Sequence, residues 1–153
     1  MRKILIMVLV CFFLVGSVCA VCAAEKRGTT KEGKAMVDKA VSYLKKNGNN
    51  VAYAEFTNPK GKFVDRDLYI FVIDMNGKMI AHGANKALIG KNLIGLKDSE
   101  GNAFIKKMVD LAQSKGNGWV DYKWTNPVSK KIEAKSSYIQ RVGDVFVGCG
   151  VYK

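Results

Sequence analysis

The sequence predicts a single α+β domain in which helices cover a five-stranded antiparallel sheet. Three observations carry this. Apolar residues recur at helical spacing before any strand signal begins. A six-residue β-favouring run, Leu68 to Ile73, is apolar on both of its alternating faces. After a second helical stripe, three strand-like runs follow one another across short turns, which makes them antiparallel neighbours.

The chain has 153 residues, and its first 24 read as a leader rather than as fold. Met1-Arg2-Lys3 gives a basic start, Ile4 to Val15 an unbroken apolar run, and Cys22-Ala23-Ala24 a small-residue exit before Glu25. That layout predicts a signal peptide cleaved after Ala24, residues 25–153 as the mature domain, and a periplasmic or secreted location. The alternative is a retained anchor, for which the run is short. Three of the four cysteines fall in the leader, so Cys149 is left without an intrachain partner. Removing Arg2 and Lys3 from the 25 basic residues leaves 23 against 13 acidic ones, a net charge of +10. The cations are scattered, with no arginine-rich block and no aromatic-interleaved stripe. This disfavours nucleic acid and fits a solvated lysine surface or small acidic ligands.

Thr29-Thr30-Lys31-Glu32 has the form of a capping box, and Met36, Val37, Ala40, Val41 and Leu44 follow on one helical stripe that Gly48 is expected to end. Residues 49 to 66 are mixed, with a turn at Asn58-Pro59-Lys60-Gly61. Leu68 to Ile73 reads as a central strand. Asp74-Met75-Asn76-Gly77 turns the chain, and Lys78 to Gly83 returns as its partner. The Asp74-x-Asn76-Gly77 pattern resembles the start of a calcium loop but lacks the closing glutamate. Asp98-Ser99-Glu100-Gly101 is expected to open the second helix, whose stripe is Phe104, Ile105, Met108, Val109 and Ala112, stopped by Gly116 and Gly118. Trp119 to Trp124, Ile132 to Val142 and Val145 to Tyr152 are the remaining strands.

The chemistry available is narrow. Outside the leader there is one histidine, His82, and one cysteine, Cys149, the latter inside an apolar strand-like run. No nucleophile-elbow motif, zinc-ligand spacing or phosphate-cradling glycine loop occurs, so catalysis is unsupported and no cofactor or metal is expected. The stretch 118–138 is unusual in mixing two tryptophans, two tyrosines and Lys135 in alternating strand patterns. Aromatic walls, one lysine and a neighbouring histidine suit a carboxylate pocket. A hairpin whose lysine merely lies across aromatic faces fits the same residues.

Three segments together resemble the single Cache domain family, subtype 2, an extracytoplasmic PAS-like sensor module. They are YIFVIDMNGKMIAHGANKALIGKN, DSEGNAFIKKMVDLAQSKGNGWVDYKWTNP and KSSYIQRVGDVFVGCGVYK. The resemblance runs from about residue 30 to the end. It implies a long N-terminal helix packed on a five-stranded antiparallel PAS-like sheet. It also implies a ligand pocket on the opposite face, beneath a helical excursion between strands 2 and 3. Gly83 and Ala134 stand where proline is common in the family.

By position, the resemblance assigns His82, Tyr122, Trp124, Lys135 and Tyr138 to the pocket wall, with Tyr69 a further candidate. Lys135 and Tyr138 differ in strand parity, so both reach one ligand only across a bulge. The expected function is an exported module that binds a small organic acid and has no output domain of its own. A membrane-bound signalling partner is expected. The rival reading is a non-enzymatic interaction module, a homodimer through the N-terminal helix, with no working pocket.

Overall fold

The computed structural model describes residues 27–153, so the leader expected at residues 1–24 lies outside the described residues. Helix α1 spans Thr30–Phe56, β1 Val64–Asp65, β2 Leu68–Asp74, β3 Met79–His82, α2 Phe104–Ser114, β4 Asn117–Thr125, β5 Ile132–Val142 and β6 Val145–Tyr152. Each pairing in the sheet is antiparallel. The order runs β2-β6-β5-β4, with β3 and the two-residue β1 both paired to the other edge of β2. The five expected strands are thus present, and β1 is a short addition.

The capping box closes as the sequence predicts: the Glu32 amide donates to Thr29 Oγ1 at 3.3 Å, and the Thr29 amide to Glu32 Oε2 at 2.8 Å. Gly48 interrupts the helix with φ 77°, ψ 169°, but the chain re-enters helix and continues to Phe56. This corrects the expected end at Gly48. The second segment contributes only Ala52 and Phe56 to the core, too few to make a periodic signal. Phe56 earns its place through Phe63, whose ring it meets edge-on at 4.8 Å.

Alternation along the strands divides two cores. Facing α1 are Leu68, Ile70, Val72, Val147, Cys149 and Val151, packed against Val37, Ala40, Val41 and Leu44. Facing α2 are Tyr69, Phe71, Ile73, Ile139, Phe146 and Tyr152, packed against Phe104, Met108 and Val109. This explains why β2 is buried along six consecutive residues. Burying each large apolar side chain contributes on the order of 1.5–3 kcal/mol. Cys149 is fully buried on the α1 side, 3.9 Å from Met36 Sδ, and burial pushes its thiol up to about 12. It is placed as a packing residue, out of reach of a second chain.

The turn after β2 is closed by Asp74, whose Oδ1 accepts from the amides of Asn76 and Lys78 at 2.9 Å. The carboxylate that suggested a calcium loop is therefore engaged by backbone. Helix α2 begins at Phe104, not at Asp98, because Gly101 adopts φ 82° and Asp98 holds the preceding turn instead. Its carboxylate accepts from the amides of Glu100 and Asn102 at 2.9 Å and from the Lys123 amide, on edge strand β4, at 3.0 Å. Desolvation pushes that carboxyl up, yet the amides of Asn102 and Lys123 hold it down at about 2. The excursion, residues 83–103, is thereby stitched to the sheet edge. At its other end it is tied by the Leu93 amide to Gly77 O at 2.8 Å and the Met79 amide to Lys91 O at 3.0 Å.

Candidate functional site

The α2-facing surface of the sheet gathers polar groups at its centre. Lys135 enters from β5, directly opposite Tyr122 on β4 and Tyr152 on β6. Strand pairing therefore sets both rings beside the lysine stem. That stem lies over Gly150 of β6: a Cβ there would fall inside contact distance of Lys135 Cε and Ser137 Oγ. Gly148 plays the same part for the Phe71 ring. The Gly148-Cys149-Gly150 alternation therefore clears the site face while Cys149 fills the helix face.

Lys135 is 1% exposed, and its Nζ donates to Tyr69 Oη at 2.6 Å and to Tyr152 Oη at 3.1 Å. The same nitrogen stands 4.1 Å and 4.5 Å from the centroids of those two rings. Among the described residues no carboxylate comes within ion-pair distance of it. Burial lowers its pKa to about 7, with Cys149 and Asp67 pushing weakly back. A buried ammonium with only neutral phenols as partners is incompletely compensated.

The phenols are themselves ordered. Tyr152 Oη donates to Thr125 O at 2.9 Å, and Tyr122 Oη shares a 2.9 Å hydrogen bond with Ser137 Oγ. Burial pushes the Tyr69 and Tyr122 phenols well above their ordinary range, so both remain protonated donors. Phe104 of α2 stacks on Tyr122 at 4.3 Å with planes 3° apart, and Trp124 meets Phe104 edge-on at 5.5 Å.

His82, opposite Phe71 on β3, places its ring 4.8 Å from that of Tyr69. Burial, and then the charge of Lys135, lower its pKa to about 3. Its Nδ1 accepts from the Ala84 and Asn85 amides at 3.2 and 2.9 Å, so the neutral ring carries its proton on Nε2.

The structure therefore gathers Tyr69, His82, Tyr122 and Lys135, with Trp124 at the margin. It does not include Tyr138. No bulge interrupts β4–β5 or β5–β6, so parity holds and Tyr138 faces α1, where Lys34 Nζ lies 5.2 Å from its ring centroid. Tyr152 and Ser137 were missed by sequence reasoning. Their parity with Lys135 and Gly150 was the available signal. The cluster is buried: Tyr69, His82, Tyr122, Lys135 and Tyr152 are each at most 7% exposed, and Leu93 from the excursion packs into it.

Comparison with known proteins gives a consistent picture. The model of the family described as "Single Cache domain 2" matches residues 62–153. The chain is 38% identical over 90 residues to methyl-accepting chemotaxis protein McpP of Pseudomonas putida, covering 58% of this chain and 16% of that protein. It is 33% identical over 89 residues to sensor histidine kinase MctS of Rhizobium johnstonii, covering 57% and 19%. The matched part is thus under a fifth of either relative's length. Among solved structures, a methyl-accepting chemotaxis protein from Vibrio parahaemolyticus superposes with a TM-score of 0.70 at 28% identity, covering 80% of this chain and 86% of that one. A Cache chemosensory domain solved for the structural basis of carboxylic acid recognition superposes with a TM-score of 0.69 at 27% identity, covering 80% and 91%.

Proposed function

The chain belongs to the single Cache domain 2 family, a family of extracytoplasmic ligand-sensing domains, and from that premise we propose that it binds a small carboxylate beside Lys135. The observation that carries this is the buried Lys135 amine, which among the described residues has phenols but no carboxylate around it. A carboxylate seated there would supply the missing charge. It would accept from Lys135 Nζ, from the Tyr69 hydroxyl and from His82 Nε2–H, in a water-excluded setting where charge-assisted bonds are strong. Phe71, Phe104 and Trp124 suit a short apolar tail. The reading is supported by similarity to the carboxylic-acid-recognising Cache domain, at 27% identity.

Binding rather than turnover fits this site. Cys149 sits on the opposite face with its thiol held protonated by burial, and His82 Nδ1 is occupied by two backbone amides. Cys149 and His82 are therefore not assembled as a nucleophile–base pair. We further propose export with cleavage after Ala24, leaving residues 25–153, and transfer of the occupancy signal to an output of the kind its chemoreceptor and kinase relatives carry. N-terminal sequencing of the exported protein checks the first of these.

The direct experiment is titration calorimetry of the folded domain with acetate, propionate, pyruvate and lactate. At least one is expected to bind, and binding is expected to vanish in Lys135→Met. Heats absent for all four, or undiminished in the variant, sink the reading.

A further inference from the structure

The segment Ala81-His82-Gly83-Ala84-Asn85 places two small residues after the histidine, which lets the backbone curl back over the imidazole. The result is the pair of amide bonds to Nδ1 already described, from Ala84 and Asn85. Asn85 then passes the restraint forward, its Oδ1 accepting from the Ala87 amide at 3.0 Å and capping a 3₁₀ turn, Lys86–Leu88. Leu88 packs against the cluster of Tyr69, Tyr122 and Tyr152. His82 thus has one nitrogen on the start of the cover, while its Nε2–H makes no hydrogen bond within the described residues. The groups that face the ring are the Tyr69 phenol from β2 and the Lys135 ammonium from β5. Tyr69, His82 and Lys135 are each at most 3% exposed, so a guest reaching Nε2–H requires movement of the residues packed over them.

We propose that His82 is the positioning residue that couples occupancy to the cover: a carboxylate accepting from Nε2–H makes Nδ1 a stronger acceptor and so tightens the two bonds that hold Ala84 and Asn85 down. The coupling rests on the carboxylate reading above. Its physical basis is the mutual polarisation of hydrogen bonds that share one neutral ring in a low-dielectric interior. The imidazole supplies both ends. A ring protonated at both nitrogens, or a side chain with one functional end, loses the link.

The two amide substitutions separate the ends, since Asn carries an acceptor near the Nδ1 position and Gln a donor near Nε2. The measurement is amide hydrogen exchange in the wild type, His82→Asn and His82→Gln, with and without saturating acetate. In the wild type, acetate is expected to slow exchange at Ala84 and Asn85. Without acetate, His82→Asn is expected to keep these amides protected, and His82→Gln to exchange them about tenfold faster. In both variants acetate is expected to add no protection there. The Leu93 amide, bonded to Gly77 O, reports that each variant remains folded. Asn85→Ala, which leaves His82 whole, is expected to release acetate faster by freeing the 3₁₀ turn.

Protection of Ala84 and Asn85 in His82→Gln equal to the wild type overturns the anchor. Acetate protection of them in His82→Gln equal to the wild type overturns the coupling. If calorimetry finds no carboxylate bound to the wild type, the coupling falls with the functional reading, while the acetate-free comparison of the two variants still decides the anchor.

Discussion

Tyr152 stands directly across from Lys135 on the neighbouring strand, and its phenol oxygen accepts a 3.1 Å hydrogen bond from the lysine ammonium. The same hydroxyl donates to Thr125 O, so Tyr152 is fixed at both ends and holds the lysine in place rather than following it. On the carboxylate reading proposed above, a charge so held is poised for an anion, at a standing cost to the unliganded fold.

Replacing that charge should separate stability from binding. Lys135→Met fills a similar volume and removes the uncompensated ammonium. Thermal unfolding at pH 7 without ligand is expected to show a gain of about 1–3 kcal/mol. Carboxylate affinity is expected to fall at least about a hundredfold, the scale of losing a buried charge partner. A destabilised variant that still binds would contradict both halves.

The affinity itself should depend on pH. The anion prefers protonated Lys135, whose pKa in the unliganded domain is lowered to about 7. Binding above that value therefore takes up a proton, and affinity is expected to drop about tenfold per pH unit between about 7.5 and 9.5. Calorimetry in buffers of different ionisation heat would register that uptake. A flat affinity over the range would mean that the lysine is charged throughout and that its burial is offset elsewhere.

Unliganded stability should move with pH in a definite sense. Lys135 titrates near 7 when folded and near 10.5 when unfolded, so the unfolded chain binds more protons between those values. Stability is therefore expected to rise with pH across that window. For His82 the folded value is about 3 against an ordinary 6.5, so its contribution is expected to be lost as pH falls from 6.5 towards 3. Denaturant midpoints of wild type and Lys135→Met diverging between pH 9 and 7 would report the lysine part. Parallel curves would refute it.

Gly150 is the position where the backbone yields to the Lys135 stem. In Gly150→Ala the new methyl group would meet the Lys135 stem and Ser137 Oγ, and the strand pairing on both sides of β6 leaves the backbone little room to retreat. A loss of about 1–3 kcal/mol of stability is expected, with carboxylate affinity falling as Nζ leaves its phenols. Chemical denaturation and calorimetry on the same preparation would measure both. Unchanged affinity would place the ligand away from Nζ.

What the sequence made legible follows from how each signal is encoded. The bounds of β5 and β6 could be read because alternation and a two-residue Gly143-Asp144 turn are local facts. The continuation of α1 past Gly48 could not, because only Ala52 and Phe56 mark it and Phe63 supplies their partner from outside the helix. Asp98 reads as a helix start because its local amide partners, Glu100 and Asn102, mimic a cap, while the Lys123 amide that ties it to β4 is 25 residues away. Lys135 and Tyr122 stand out in the sequence by residue type in an alternating strand pattern, while their place on a pocket wall is what the resemblance implies. Tyr152 was hidden because an apolar terminal strand explains a tyrosine without any pocket.

Strand parity supplies the last prediction, a matched pair of conservative changes. Tyr138→Phe removes a hydroxyl from the α1 face, away from Lys135, and is expected to leave carboxylate affinity within about twofold. Tyr152→Phe removes an oxygen that accepts from Lys135 and anchors to Thr125, and leaves that carbonyl without its donor. It is expected to weaken binding about tenfold and to cost about 1–2 kcal/mol of stability. The two variants differ from the wild type by the same single atom, so size and hydrophobicity cannot account for a difference between them. Equal losses of affinity, or a larger loss in Tyr138→Phe, would mean that the ligand is read from the helix side of the sheet.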